Sequence, residues 1–200
     1  HYVDDMKLPG MLFGDFVRSA YGHARIKAIR KDKALALPGV KAVLTAEELK
    51  PLKLHYMPTL AGDVQAVLAD GKVLFQGQEI AFVIAEDRYI AADAVDLIEV
   101  EYEELPALVD PTRAMAPDAP VRREDLAGKT AGAHGPRKHH NHIFTWEVGD
   151  AAGTAKALKE APVTVKEMIS YQRVHPCPIE TCGCVASMDK INGQLTVWGT

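Results

Sequence analysis

No apolar run in this chain approaches the roughly 18 residues that cross a bilayer, and no charged-then-apolar leader opens it at His1–Tyr2–Val3. Neither a transmembrane segment nor a secretory signal is expected. Lys and Arg number 23 against 27 Asp and Glu, a net charge of −4, and no basic stripe interleaved with aromatic residues appears. Proteins that hold nucleic acid neutralise phosphates with such stripes, so a nucleic-acid partner is not expected. Cysteine is scarce as well: three residues, Cys177, Cys182 and Cys184, crowded close together. An odd number in so short a stretch is not a secreted disulfide framework, and a reducing cytoplasm is the expected compartment. Phosphate-cradling GxGxxG and Walker patterns are missing, as are a GxSxG elbow and any visible Ser/His/Asp arrangement. No internal repeat or low-complexity segment stands out.

What the chain does have is apolar content, 48% of 200 residues, enough to bury a real core. The stretch from Gln78 to Pro106 organises it. Ile80 to Ala85 (IAFVIA) is an unbroken apolar run rich in β-branched and aromatic residues, the pattern of a strand covered on both faces. From Asp87 the period changes. Ile90, Ala91, Ala94, Val95, Leu97 and Ile98 fall on one side of a helix, with Arg88, Tyr89, Asp93 and Asp96 on the other. Asp87 suits the N-terminus, where its carboxylate accepts orphan backbone N–H groups. Glu99–Val100–Glu101–Tyr102–Glu103 then alternates strictly, predicting a strand with one face in the core and one in water. Burying the helix's larger apolar side chains stabilises by roughly 1.5–3 kcal/mol each, enough to nucleate a domain.

Around this unit, Pro9–Gly10 marks a turn and Leu12 to Ser19 a short strand. Asp32 to Leu37 reads as a short helix ended by Pro38–Gly39, with Val40, Val43 and Leu44 in the next strand. Thr45 and Glu48 have capping-box spacing and open another short helix. Lys50 to Lys72, broken by Pro51, Pro58, Gly62 and Gly71, is irregular, and Val73–Leu74–Phe75 leads into the organising unit. Strands and helices intermix, so the fold class is α+β. A first domain is expected over 1–110. A surface-running connector follows over 111–142, rich in Pro and Gly and carrying Arg122, Arg123, Arg137 and Lys138. In 143–200, Phe144, Trp146 and Val148 share a strand face, Asp150 caps a helix to about Ala161, and Val163 begins a long strand to Val174. A hairpin then joins Gly183–Met188 to Gln194–Trp198 through Asn192–Gly193. The chain opens without Met and stops inside this alternating segment, so it reads as an excerpt of a longer polypeptide.

Three groups of residues invite chemistry. Cys177-x4-Cys182-x-Cys184 with His175 suggests a metal or iron–sulfur site, but the second gap is one residue short of the plant-type pattern and no fourth cysteine exists. Cys182 and Cys184 are expected instead on one strand face, buried as small hydrophobes. His139, His140 and His142 suggest zinc, without a nearby carboxylate or cysteine in ligand-like spacing. Glu99, Glu101 and Glu103 could dock a basic partner, against the plainer reading of a solvated strand face. Gln76–Gly77–Gln78 is too short to cradle a phosphate. No catalytic, cofactor-binding or metal-ligating residue is assigned within the 200.

The stretch from Val73 to Asp110 resembles the α/β hammerhead domain of the molybdenum hydroxylases, the xanthine oxidase and aldehyde oxidoreductase superfamily. The residues that carry the resemblance are Gly77, Gln78, Ala81, Asp87, Ala91, Asp93, Ala94, Val100, Glu101, Tyr102, Leu105 and Pro106. Tyr2-Val3-Asp4-Asp5, Pro9-Gly10, Ser19, His23-Ala24 and Pro38-Gly39-Val40 match the domain's opening, and the second half looks like the beginning of a molybdopterin-binding α+β domain. Within the superfamily, Glu124 to Lys129, Lys138 to Phe144 and Arg173 to Ser187 are similar to the large subunits of the aerobic carbon monoxide dehydrogenase family.

The resemblance implies an oxidoreductase whose molybdenum sits on molybdopterin cytosine dinucleotide, with copper in the carbon monoxide branch. It implies [2Fe–2S] clusters on a small subunit, FAD on a medium subunit, and a dimer of heterotrimers, in the cytoplasm or at the cytoplasmic face of the membrane. The cofactor's ligands, the active-site glutamate base and the A-Y-R-C-S-F-R loop that distinguishes carbon monoxide from other substrates are implied to lie beyond Thr200. An aldehyde or N-heterocycle as substrate, a non-catalytic assembly module, and a small metal-binding domain stay open as rivals.

Overall fold

The computed structural model describes residues 2–54, 56–57, 65–126 and 139–200. Contacts group the chain into two units, Leu12–Glu147 and His1–Met11 with Val148–Thr200. The expectations that rest on Pro58, Gly62, Gly128, Lys129, Arg137 and Lys138 lie outside the described residues.

In the Leu12–Glu147 unit the strands and helices run, in order, β1 (Phe13–Arg18), β2 (Ala24–Arg30), α1 (Asp32–Leu35), β3 (Val40–Leu44), α2 (Ala46–Leu49), β4 (Tyr56–Met57), β5 (Gln65–Ala66), β6 (Lys72–Val73), β7 (Glu79–Ala85), α3 (Arg88–Asp96) and β8 (Glu99–Glu104). One antiparallel sheet has the order β1-β7-β3 and a second β6-β2-β8; β4 and β5 pair alone. The strand–helix–strand succession predicted over 80–104 is therefore present, but its two strands belong to different sheets and α3 carries the chain from one to the other.

The apolar run of β7 explains its central position. Ala81, Val83 and Ala85 are buried against Ala91 and Ala94 of α3 with Val17, Val43 and Ile98, and Ile80 points to a second core with Ala24, Ala69 and Val73. Small residues at 91 and 94 let the helix approach the sheet closely. Ile29 and Val100 pack against both clusters and join them. Phe82 and Ile84, on the other face, are only half-buried, and Phe82 stacks obliquely on Phe16 at 4.6 Å. Asp87 caps α3 by accepting from Tyr89 N at 2.7 Å, and Thr45 and Glu48 form the expected capping box on α2. Both follow from the need of the first helical N–H groups for an acceptor.

Strand β2 was not expected. Its alternation, Ala24-Arg25-Ile26-Lys27, is interrupted where the register shifts between Ile26 and Ala28, so period two fails after four residues. The stretch after Pro111 is more tightly held than a free connector: two 3₁₀ turns, Pro111–Arg113 and Glu124–Leu126, form there, and Leu126 is fully buried.

In the other unit, α4 (Ala151–Glu160) starts at Asp150, whose carboxylate accepts from Gly153 N at 2.9 Å, and β9 (Cys184–Met188) pairs with β10 (Leu195–Gly199). Gly193, at φ +74, closes the turn with its N–H on the Asp189 carbonyl at 2.8 Å. Val3 N donates to Glu180 at 3.4 Å and Thr181 Oγ1 lies 3.2 Å from Asp4 Oδ2, tying residues 2–11 into this unit. Two expected strands do not form. Val163 to Val174, and Phe144 through Val148, have strand-like alternation but no described strand to pair with, and an unpaired strand gains no ladder of hydrogen bonds.

Candidate functional site

The most concentrated polar chemistry in the described residues surrounds His23, at the head of β2. The side chain is buried, 3% exposed, and its Nδ1 sits 2.7 Å from the Pro106 carbonyl, while Leu105 N donates to the His23 carbonyl at 2.9 Å. A carbonyl only accepts, so Nδ1 carries the proton and the neutral ring presents an unprotonated Nε2. Among the described residues that atom is buried and without a hydrogen-bond partner, as is Nε of Arg122.

Arg122 reaches the site from the segment that follows the first domain. Its Nη2 donates to the Gly22 carbonyl at 3.1 Å, and its own N–H donates to Asn141 Oδ1 at 2.9 Å. Asn141 in turn donates to the carbonyls of Ala114 and Pro120, both at 3.0 Å. Lys72, from β6, donates to the Arg122 carbonyl at 2.7 Å and pairs with Glu124. Burial, and then the Arg122 and Lys72 cations, hold His23 below its ordinary pKa, against the pull of the Pro106 hydrogen bond and the Glu124 charge. Burial also lowers Arg122. The arrangement holds one segment onto another through a neutral imidazole.

Gln76–Gly77–Gln78 proves to be a clamp. Gly77 takes φ +86, its N–H donates to the Ser19 carbonyl at 2.8 Å, and Ser19 N returns a bond to the Gln78 carbonyl at 2.9 Å. The buried Gln78 side chain accepts from Leu74 N at 2.7 Å. These residues are spent on holding β1 and β6 to the start of β7.

A cleft of about 360 Å³ lies between β2, α2 and the turn at Asp70, lined in part by Lys31, Glu47, Glu48 and Asp70. Its charges answer one another. Lys31 pairs with Glu48, and Lys50 bridges Glu47 at 3.0 Å and Asp70 at 2.9 Å. Burial pushes the Glu48 carboxyl up, but hydrogen bonds from Lys31 and Thr45 outweigh it and bring it to about 2. Hydrogen bonds to Asp70 and Glu47 push Lys50 up to about 12.

The other candidates are placed as follows. Cys177, Cys182 and Cys184 are all exposed free thiols, and Cys182 lies before β9, so the expected buried pair on one strand face is not formed. The reason is that, among the described residues, β9 has only β10 beside it and its face is left uncovered. His139 Nδ1 accepts from Asn141 N at 3.2 Å, its ring meets that of His140 edge-on, and His142 Nε2 lies 3.0 Å from Thr145 Oγ1. Among the described residues no three His, Cys, Asp or Glu side chains converge as a metal-binding group. Glu99, Glu101 and Glu103 point to solvent, and each is paired across the sheet or to α1, with Lys33 at 2.5 Å, Arg30 at 2.6 Å and Lys27 at 2.5 Å respectively.

Compared with known protein families, residues 1–106 match the aldehyde oxidase and xanthine dehydrogenase a/b hammerhead domain. The chain belongs to that family. Residues 134–200 of this hammerhead protein match the molybdopterin cofactor-binding domain. The chain is 70% identical over all 200 residues to the carbon monoxide dehydrogenase large chain of Afipia carboxidovorans and 68% identical to that of Hydrogenophaga pseudoflava, covering 25% of each. A solved structure, reconstituted CO dehydrogenase from Oligotropha carboxidovorans, superimposes with a TM-score of 0.90 at 70% identity, over all of this chain and 25% of that one. The hammerhead chain thus spans about a quarter of the length of the curated relatives it matches.

The match of residues 134–200 to a molybdopterin cofactor-binding domain supports a molybdenum cofactor. Sequence reasoning missed the His23–Arg122 cluster because its members lie far apart in the chain and share no spacing. The only signals were His23-Ala24 within the family motif and two adjacent arginines in a supposed connector.

Proposed function

We propose that this chain is the N-terminal part of the large subunit of an aerobic carbon monoxide dehydrogenase, which oxidises CO with water to CO2, two protons and two electrons. The observation that carries the reading is 70% identity to a carbon monoxide dehydrogenase large chain without interruption over all 200 residues. Residues 1–110 form the hammerhead domain, 111–142 the connector and 143–200 the beginning of the first molybdopterin-binding domain. Molybdenum on molybdopterin cytosine dinucleotide, with copper, supplies the two-electron oxidation when bound, by residues outside these 200. [2Fe–2S] clusters on a small subunit and FAD on a medium subunit carry the electrons away, in a dimer of heterotrimers in the cytoplasm or at the cytoplasmic face of the membrane. Among the described residues no helix is long and apolar enough to cross a membrane.

What these residues contribute is position. The β1-β7-β3 sheet with α3, and the Ser19–Gln78 clamp, form a wall rigid enough to hold a buried cofactor's surroundings in fixed geometry, where preorganised dipoles act without reorganisation. The test is dye reduction by the assembled complex of the complete polypeptide, with CO, an aldehyde and an N-heterocycle offered separately. CO-dependent turnover with molybdenum bound is expected. Turnover only with an aldehyde or heterocycle overturns the substrate, and a complex that purifies without molybdenum overturns the enzyme reading in favour of an assembly module.

A further inference from the structure

We propose that His23 is the pin of a pH-sensitive latch that holds the segment from Leu105 to Leu126 onto the hammerhead core and releases it in acid. The geometry has three parts. First, the ring is committed: Nδ1–H donates to the Pro106 carbonyl, so any added proton must go to Nε2. Second, Nε2 is buried with no hydrogen-bond partner among the described residues, and a buried N–H⁺ without an acceptor costs more than a neutral orphan. Third, the charged groups around the ring are mostly of the wrong sign to receive a cation. Arg122 donates to the carbonyl of the residue just before His23 and Lys72 stands on β6; Glu124, the one anion among them, is paired with Lys72.

Protonation therefore sets an imidazolium against Arg122 and Lys72 in a site that cannot solvate it. The segment can relieve this by leaving. Three of its attachments to the hammerhead core run through this cluster, Leu105 N to the His23 carbonyl, Arg122 to Gly22 and Lys72 to the Arg122 carbonyl, while Asn141 holds Ala114 and Pro120 from outside it. With the segment detached, the imidazole titrates near its ordinary value of about 6.5. The closed state binds a proton less readily than the open one. Its stability is full above about 6.5 and is lost as the pH falls from there through the lower value of the closed state.

The experiment is amide hydrogen exchange of the complete polypeptide in its assembled complex between pH 8 and 5, corrected for the intrinsic pH dependence of exchange. Protection at Leu105, Arg122 and Leu126 is expected to fall below pH 6.5 by at most about tenfold per unit, while amides of β7 keep theirs. In the same samples, deuteration of the His23 ring Cε1–H, which follows imidazole protonation, should inflect where amide protection is lost. In His23→Gln, which cannot titrate, the acid loss at those amides should disappear. An amide profile that is flat, or that does not track the His23 inflection, overturns the latch, and both are read on the unmodified protein. Persistence of the acid loss in His23→Gln overturns it as well. None of these results bears on CO turnover, so the latch and the enzymatic reading fail separately.

Discussion

Gly39 and Glu48 show how much a single position can carry here. Gly39 sits at φ +92, and a Cβ there would meet Ile90 Cδ1 at 2.7 Å. Gly39→Ala brings both left-handed strain and displacement of a core-facing side chain, and a loss of about 2 kcal/mol or more is expected in urea unfolding. Glu48 closes the capping box on α2 and pairs with Lys31. Its carboxyl is held at about 2 in the folded chain, against about 4.3 unfolded, so its contribution is whole above about 4.3 and disappears as the pH falls towards 2. The carboxylate is partly exposed, so solvent screening keeps this contribution small. Glu48→Ala should cost about 1 kcal/mol at neutral pH through the lost cap, and its stability should fall less steeply than that of the parent over that acid range. The Pro38–Gly39 turn and the Thr45–Glu48 spacing were both legible in the sequence, because local backbone rules act over three or four residues. His23 was not: its partner Pro106 and the nearby Arg122 and Lys72 lie far from it in the chain, and nothing local marks such an encounter.

At the level of elements, the exposed charges and the buried side chains of the two sheets differ in weight. The three pairs of the β8 glutamates, with Lys33, Arg30 and Lys27, lie on a solvated face where solvent screening leaves each ion pair little weight. Glu99→Gln, Glu101→Gln and Glu103→Gln together should cost little stability, and less still at high salt. Ile80, by contrast, is fully buried in the second core, and Ile80→Ala should cost about 2–5 kcal/mol. Urea melts of the two variants at low and high salt give the comparison, and a glutamate triple variant as damaging as Ile80→Ala would contradict it. Periodicity revealed β7, α3 and β8 because each buries a regular stripe. It failed for β2, whose alternation is broken by a bulge, and it over-read Val163 to Val174, whose alternation finds no neighbour among the described residues. A pattern of side chains announces a strand's faces; the hydrogen bonds that make it a strand come from another part of the chain.

On the scale of the whole molecule, the two units carry different burdens. Leu12–Glu147 has two joined cores and a clamped turn, all devoted to shape. The unit of His1–Met11 with Val148–Thr200 has a capped helix and one hairpin, with Met168, Tyr171, Ile179 and Ile191 largely in solvent. Its three cysteines are exposed, and it holds the Cys177, Cys182 and Cys184 cluster that offers the alternative of an independent metal site. Metal analysis of the 200-residue chain after exhaustive dialysis asks the question most directly. The account predicts zinc, iron and molybdenum far below one equivalent, with no CO-dependent dye reduction by the chain alone. One equivalent of zinc or iron retained through dialysis, and lost in Cys182→Ser with Cys184→Ser, would contradict it.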